Sequence, residues 1–100
     1  MGKGYVSDQM NAARILTKGK ITDLSSGFKL LNGVPFSVFI IPKNSALVEP
    51  VIVSVKLYQE DDFSDCPFAL RGWNEPAISE IEASGIDLAL YDVYWGAGKI

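Results

Sequence analysis

Between Glu60 and Asp65 the chain reads EDDFSD, four carboxylates within six positions, and oxygen ligands at that density can hold a hard divalent cation. The spacing does not match an EF-hand loop and the glycine such a loop needs is missing, so the stretch reads as a solvated acidic loop with no metal ligand assigned. Cys66 follows as the one thiol in the chain. The carboxylates of Asp62 and Asp65 beside it disfavour the thiolate that a nucleophile needs. Glu75, Glu80 and Glu82 can supply an acid and a base, yet a chain of 100 residues leaves little room for a substrate cleft around them. Histidine is absent, which removes the commonest general base and the Ser-His and Cys-His nucleophile pairs. Gly96-Ala97-Gly98 lacks the GxGxxG pattern and cannot open a phosphate-binding helix. The inventory therefore assigns no catalytic residue, no cofactor-binding residue and no metal site, and the expected class is non-enzymatic.

What remains is aromatic. The segment LALYDVYWGAGKI places Tyr91, Tyr94 and Trp95 within five positions, and Trp73 stands alone upstream. Tyr and Trp offer large contact area with a polar tip and are enriched at protein interfaces, so Tyr91, Tyr94, Trp95 and Trp73 form the candidate interface set. On a strand, Tyr91, Val93 and Trp95 face one way and Leu90 and Tyr94 the other. Such a strand needs cover on both faces. Either a neighbouring chain supplies the second cover, or the strand is central and fully enclosed by its own domain. A reading of another kind is a free-standing β-sandwich module that binds a carbohydrate or small ligand through exposed Trp73 and Trp95.

The elements that must position these residues read as mainly β. PFSVFIIP is an apolar run bounded by Pro35 and Pro42, too short for a helix, with Phe36, Val38 and Ile40 on one face and Phe39 and Ile41 on the other. PVIVSVKLYQ alternates most clearly, Val51, Val53, Val55 and Leu57 against Ile52, Ser54, Lys56 and Tyr58. RILTKGKITDL gives a weak strand or short hairpin with Gly19 at a bulge or turn. Phe28 to Leu31 leads as a strand into an Asn32-Gly33 hairpin turn. IDLALYDVYWG makes the last strand. Asn74 as N-cap and Pro76 in the first turn predict one short helix around residues 75–84, ending at Gly85. Residues 1–13, which lack any period, read as a flexible, extended N-terminal arm ahead of a single β-rich domain at 14–100. The expected fold is a small antiparallel β-sandwich or barrel.

Apolar residues make up 48% and charged residues 21%, an ordinary globular balance for a chain that can support one core. The net charge of −3 argues against nucleic acid and anionic membrane as partners. Its distribution is uneven: residues 1 to 50 carry six Lys/Arg against three Asp/Glu, and residues 51 to 100 carry three against nine. The halves either neutralise each other within one domain or bring one copy's first half to a neighbour's second half. A lone cysteine fits a reducing compartment. The N-terminus lacks the roughly 7 to 15 residue apolar core of a signal peptide, and the longest uncharged run, Leu30 to Pro42, is broken by Asn32, Gly33 and Pro35.

The last third carries a resemblance. Pro67-Phe68 and a Gly72-Trp73 turn, then Pro76, then Ile86-Asp87-Leu88 and a close through Tyr91, Val93, Tyr94, Trp95, Gly96 and Gly98 resemble the C-terminal part of small virion structural proteins of tailed bacteriophages. The likeness covers about a third of the chain, Pro67 to Gly98, and does not extend into the basic first half. It implies a capsid-decorating, auxiliary or connector-type protein. Its partners would be capsid or connector proteins and copies of itself, and its location the virion, assembled in the host cytoplasm.

Overall fold

A computed structural model describes residues 15–98, and the expected arm at 1–13 lies outside the described residues. Six strands follow in chain order: β1 (Ile15–Ile21), β2 (Ser37–Pro42), β3 (Val51–Leu57), β4 (Ser64–Phe68), β5 (Ile78–Ile81) and β6 (Tyr91–Gly98). They form two three-stranded antiparallel sheets, ordered β1-β6-β2 and β4-β3-β5. The chain is mainly β, as its alternating patterns predict.

Both sheets turn their apolar faces to one core. Val38 and Ile40 from β2, Val93 and Ala97 from β6 and Ile21 from β1 meet Val53 and Val55 from β3, Phe68 from β4 and Ile78 and Ile81 from β5. The alternation read in PVIVSVKLYQ is realised: Val53 and Val55 are buried while Ile52 is 56% exposed. Phe36, just before β2, exchanges two backbone hydrogen bonds with Ile78, and Phe28 does the same with Ile81. These two isolated pairs cover the edge of β5 that β3 leaves open and stitch the sheets together along one side.

No helix forms at 75–84; β5 occupies its centre. Ile78 and Ile81, three residues apart, have the spacing of a helix face, and this is what made the sequence ambiguous. The pairing of β5 with β3 is irregular: Leu57 opposes Ile78 and Lys56 opposes Glu80, so Ser79 is the extra residue of a bulge. With one residue bulged out, both isoleucines face the core, and both are buried. Asn74 caps nothing. Its side chain instead closes the preceding loop, accepting from the Ala69 N–H at 2.9 Å and donating to the Val38 and Ala69 carbonyls.

Other boundaries also shift. EDDFSDCP contains the start of β4, an edge strand that tolerates Pro67 because its partner β3 lies on one side only. The last strand begins at Tyr91 rather than at Ile86, because the Asp87 carboxylate accepts the Ala89 N–H at 2.8 Å and its carbonyl accepts those of Leu90 and Tyr91, bending 87–90 into a turn. Phe28 to Leu31 contributes one bridge instead of a strand, and Asn32, at φ 62°, sits in a short 3-10 turn at Leu31–Gly33. In β1 the register irregularity falls between Ile15 and Thr17 instead of at Gly19.

Gly27 closes the turn that Asp23 begins. The Ser25 N–H donates to the Asp23 carboxylate at 2.9 Å; this bond, and then the Ser25 hydroxyl, hold that carboxyl below its ordinary range. Gly27 has φ +85°, and a Cβ there would stand 2.8 Å from the Ile81 carbonyl oxygen, the acceptor for Phe28. Gly27→Ala is therefore expected to lower stability by about 1–3 kcal/mol, measured by urea unfolding of the purified chain. An unchanged midpoint would mean that this bridge does not constrain the turn.

Candidate interaction surface on the first sheet

The outer face of the β1-β6-β2 sheet is built from residues that alternation turns away from the core. Cross-strand register sets them in rows: Lys20 opposite Tyr94 opposite Phe39, then Asp92 opposite Ile41, and Lys18 opposite Gly96 opposite Ser37. A fourth segment extends the sheet beyond β2. The Arg71 N–H donates to the Ile40 carbonyl at 2.7 Å and the Asn74 N–H to the Val38 carbonyl at 3.0 Å, which sets Trp73 beside Phe39. Arg71, at φ 65°, is held in turn by bonds from its guanidinium to the Leu47 and Ser45 carbonyls at 2.9 and 3.1 Å. The Trp73 and Phe39 rings meet edge to face with centroids 5.4 Å apart.

The result is an open groove of about 480 Å³ lined by Lys18, Gly19, Lys20, Phe39, Ile41, Trp73 and Tyr94. Its floor is aromatic and its rim is basic. Lys20 Nζ lies 5.8 Å from the centre of the Tyr94 ring and 3.3 Å from Asp92, and Lys43 approaches the same carboxylate at 3.8 Å. Lys18 has no ion-pair partner among the described residues. Three lysines thus face one aspartate, and Ile41 and Trp73 are each 38% exposed. A concave surface of this kind offers apolar contact and charge together.

No family model, curated protein or solved structure matches this chain.

Of the four aromatics singled out in the sequence, Tyr94 and Trp73 come together in the groove, and Tyr91 and Trp95 do not. Both of the latter are half-buried on the inner face against the core. Trp95 lies 6.1 Å from Phe28 between ring centres and covers Gly19, where a Cβ would stand 2.8 Å from its indole nitrogen. Glycine at 19 accommodates the close approach of Trp95, and Trp73 and Trp95 lie on opposite faces of the first sheet. Sequence reasoning missed Phe39, Ile41, Lys18 and Lys20 as members. That Phe39 and Ile41 share a face was legible in β2, but which way that face turns and what neighbours it depend on which strands pair.

The carboxylates of the acidic stretch fall elsewhere. Glu60, Asp61 and Asp62 lie in the exposed turn between β3 and β4, and Asp65 lies in β4. Among the described residues no three potential metal ligands group together. Glu80 pairs with Lys56 at 3.7 Å and Glu82 accepts from the Ser54 hydroxyl, while Glu75 is exposed. The Cys66 sulfur is half-buried, 3.6 Å from the Ser64 hydroxyl.

Proposed function

We propose that this chain is a non-enzymatic structural protein of a bacteriophage virion, a small β-sandwich that binds capsid or connector proteins and copies of itself to decorate or stabilise the particle. The observation that carries the reading is the groove on the first sheet: an open aromatic surface rimmed by lysines, on a chain without histidine. Contact area of this composition favours a protein partner, because buried aromatics dominate interface energetics. The resemblance of Pro67 to Gly98 to small virion proteins points the same way and includes both Trp73 and Tyr94.

The direct measurement is a mass-spectrometric count of this chain in purified particles of the phage that encodes it. Hundreds of copies point to a shell position and a small fixed number to a vertex or connector. Its absence from the particles overturns the reading. Trp73→Ala should leave the fold intact and lower loading onto particles about 30-fold, the equivalent of about 2 kcal/mol for a central interface aromatic.

A further inference from the structure

The two outer faces of the molecule carry opposite charge. On the first sheet Lys18, Lys20 and Lys43 outnumber Asp92. On the second sheet and the turn beside it, Glu60, Asp61, Asp62 and Asp65 are exposed, and the lysine of β3 is already engaged: Lys56 lies 3.7 Å from Glu80 and 4.9 Å from the centre of the Phe63 ring. The imbalance between the halves of the sequence has become an imbalance between the two sides of the fold. Asp92 offsets part of the rim through Lys20 and Lys43, while Lys18 and the carboxylates of Glu60, Asp61, Asp62 and Asp65 have no ion-pair partner among the described residues.

We infer that copies of this chain associate head to tail, the acidic second sheet and β3–β4 turn of one copy seating on the lysine-rimmed aromatic groove of the next. The inference rests on the self-association part of the function proposed above. The charge complementarity is direct, four carboxylates against the lysine rim. The apolar parts match as well, since Ile52 on β3 is 56% exposed opposite a groove floored by Phe39, Trp73 and Tyr94. The molecule measures 40 × 34 × 21 Å, so its broad faces are large enough to supply the roughly 800 Å² per partner of a specific interface. Because the two contacting surfaces differ, the contact is heterologous, and repeated copies form a ring or a filament instead of a closed two-fold dimer.

A charge-swap pair tests the contact. One variant reverses the groove rim, Lys18→Glu with Lys20→Glu; the other reverses the turn, Asp61→Lys with Asp62→Lys. All four positions are exposed, and thermal melting confirms that each variant is folded. The expected result by sedimentation velocity is self-association of the wild type that weakens at least about tenfold between about 50 and about 500 mM salt, loss of association in either variant alone, and recovery in their equimolar mixture. Recovery follows because each variant then offers the surface that the other lacks. A wild type that stays monomeric at every concentration, a turn variant that associates as well as the wild type, or a mixture that does not recover overturns the contact. The two readings fail separately. If the chain is counted in particles and both variants load normally, the head-to-tail contact falls and the virion role stands. If the chain is absent from particles but the mixture recovers in solution, the reverse holds.

Discussion

Phe36→Ala is expected to cost about 3–5 kcal/mol, among the largest effects of any single truncation in this fold. Phe36 is among the largest fully buried side chains, and its ring meets that of Phe28 edge to face at 5.2 Å. It also stands where the chain leaves one sheet for the other: its backbone pairs with Ile78 of β5, and the next residue opens β2. Truncation leaves a cavity at the seam that neither sheet can close alone, because each is fixed by its own hydrogen-bonded ladder. A domain of this size has about 5–15 kcal/mol of total stability, so the variant will be marginal. Urea unfolding followed by tryptophan fluorescence measures the change. A loss below about 1 kcal/mol would mean that the seam repacks, a result at odds with the close-packed core described above.

Trp95→Ala and Tyr94→Ala should separate folding from assembly. The two residues are adjacent on β6 and face opposite ways. Trp95 packs inward on Phe28 and over Gly19, and Tyr94 faces the groove beneath Lys20. Removing the Trp95 indole is expected to cost about 3 kcal/mol of stability, a fall in melting temperature on the order of 12–24 °C for a chain of this length. Tyr94→Ala removes a half-exposed ring, and its cost is limited to about 1 kcal/mol, the span of strand preference at such a position. Its larger effect is on assembly, where loading or self-association should weaken about 30-fold. Calorimetry of the isolated chain and sedimentation or particle loading read the two effects separately. Equal falls in melting temperature with unchanged association would make β6 a strand covered by its own domain on both faces, and the groove would lose its role.

The strands with the strictest alternation are legible in the sequence alone. β2 and β3 are short, bounded by proline or polar turns, and rich in β-branched residues, so period two fixed their existence and the two faces of each, and in β3 the half-polar face marked the other as the core side. The division of β6 into Tyr91, Val93 and Trp95 on one face and Tyr94 on the other followed from the same rule, while which set turns inward was decided by the packing. The helix expected at 75–84 failed because spacing three is shared by a helix face and a bulged strand. Only the pairing partner distinguishes them, and that partner, β3, lies more than 20 residues away. The acidic stretch carries no strand signal because alternation is weak on an edge strand such as β4, which buries Phe68 but leaves Asp65 and Pro67 exposed.

The sequence by itself determined that this is a mainly β chain with a uniform apolar core, no histidine chemistry, and charge divided between its halves. Those properties are sums over residues or local repeats, and they need no knowledge of which strand lies beside which. The groove was decided by tertiary structure alone. It joins Lys20 of β1, Phe39 of β2, Trp73 of the β4–β5 loop and Tyr94 of β6, which are neighbours only because β6 inserts between β1 and β2 and the 70–74 segment docks on the far edge. Antiparallel register then fixes which side chains share a row, and a shift of one residue would turn Tyr94 into the core and Trp95 into solvent. Local preference specifies the faces of a strand. Long-range pairing specifies the company each face keeps, and it is that company which makes the aromatic groove here.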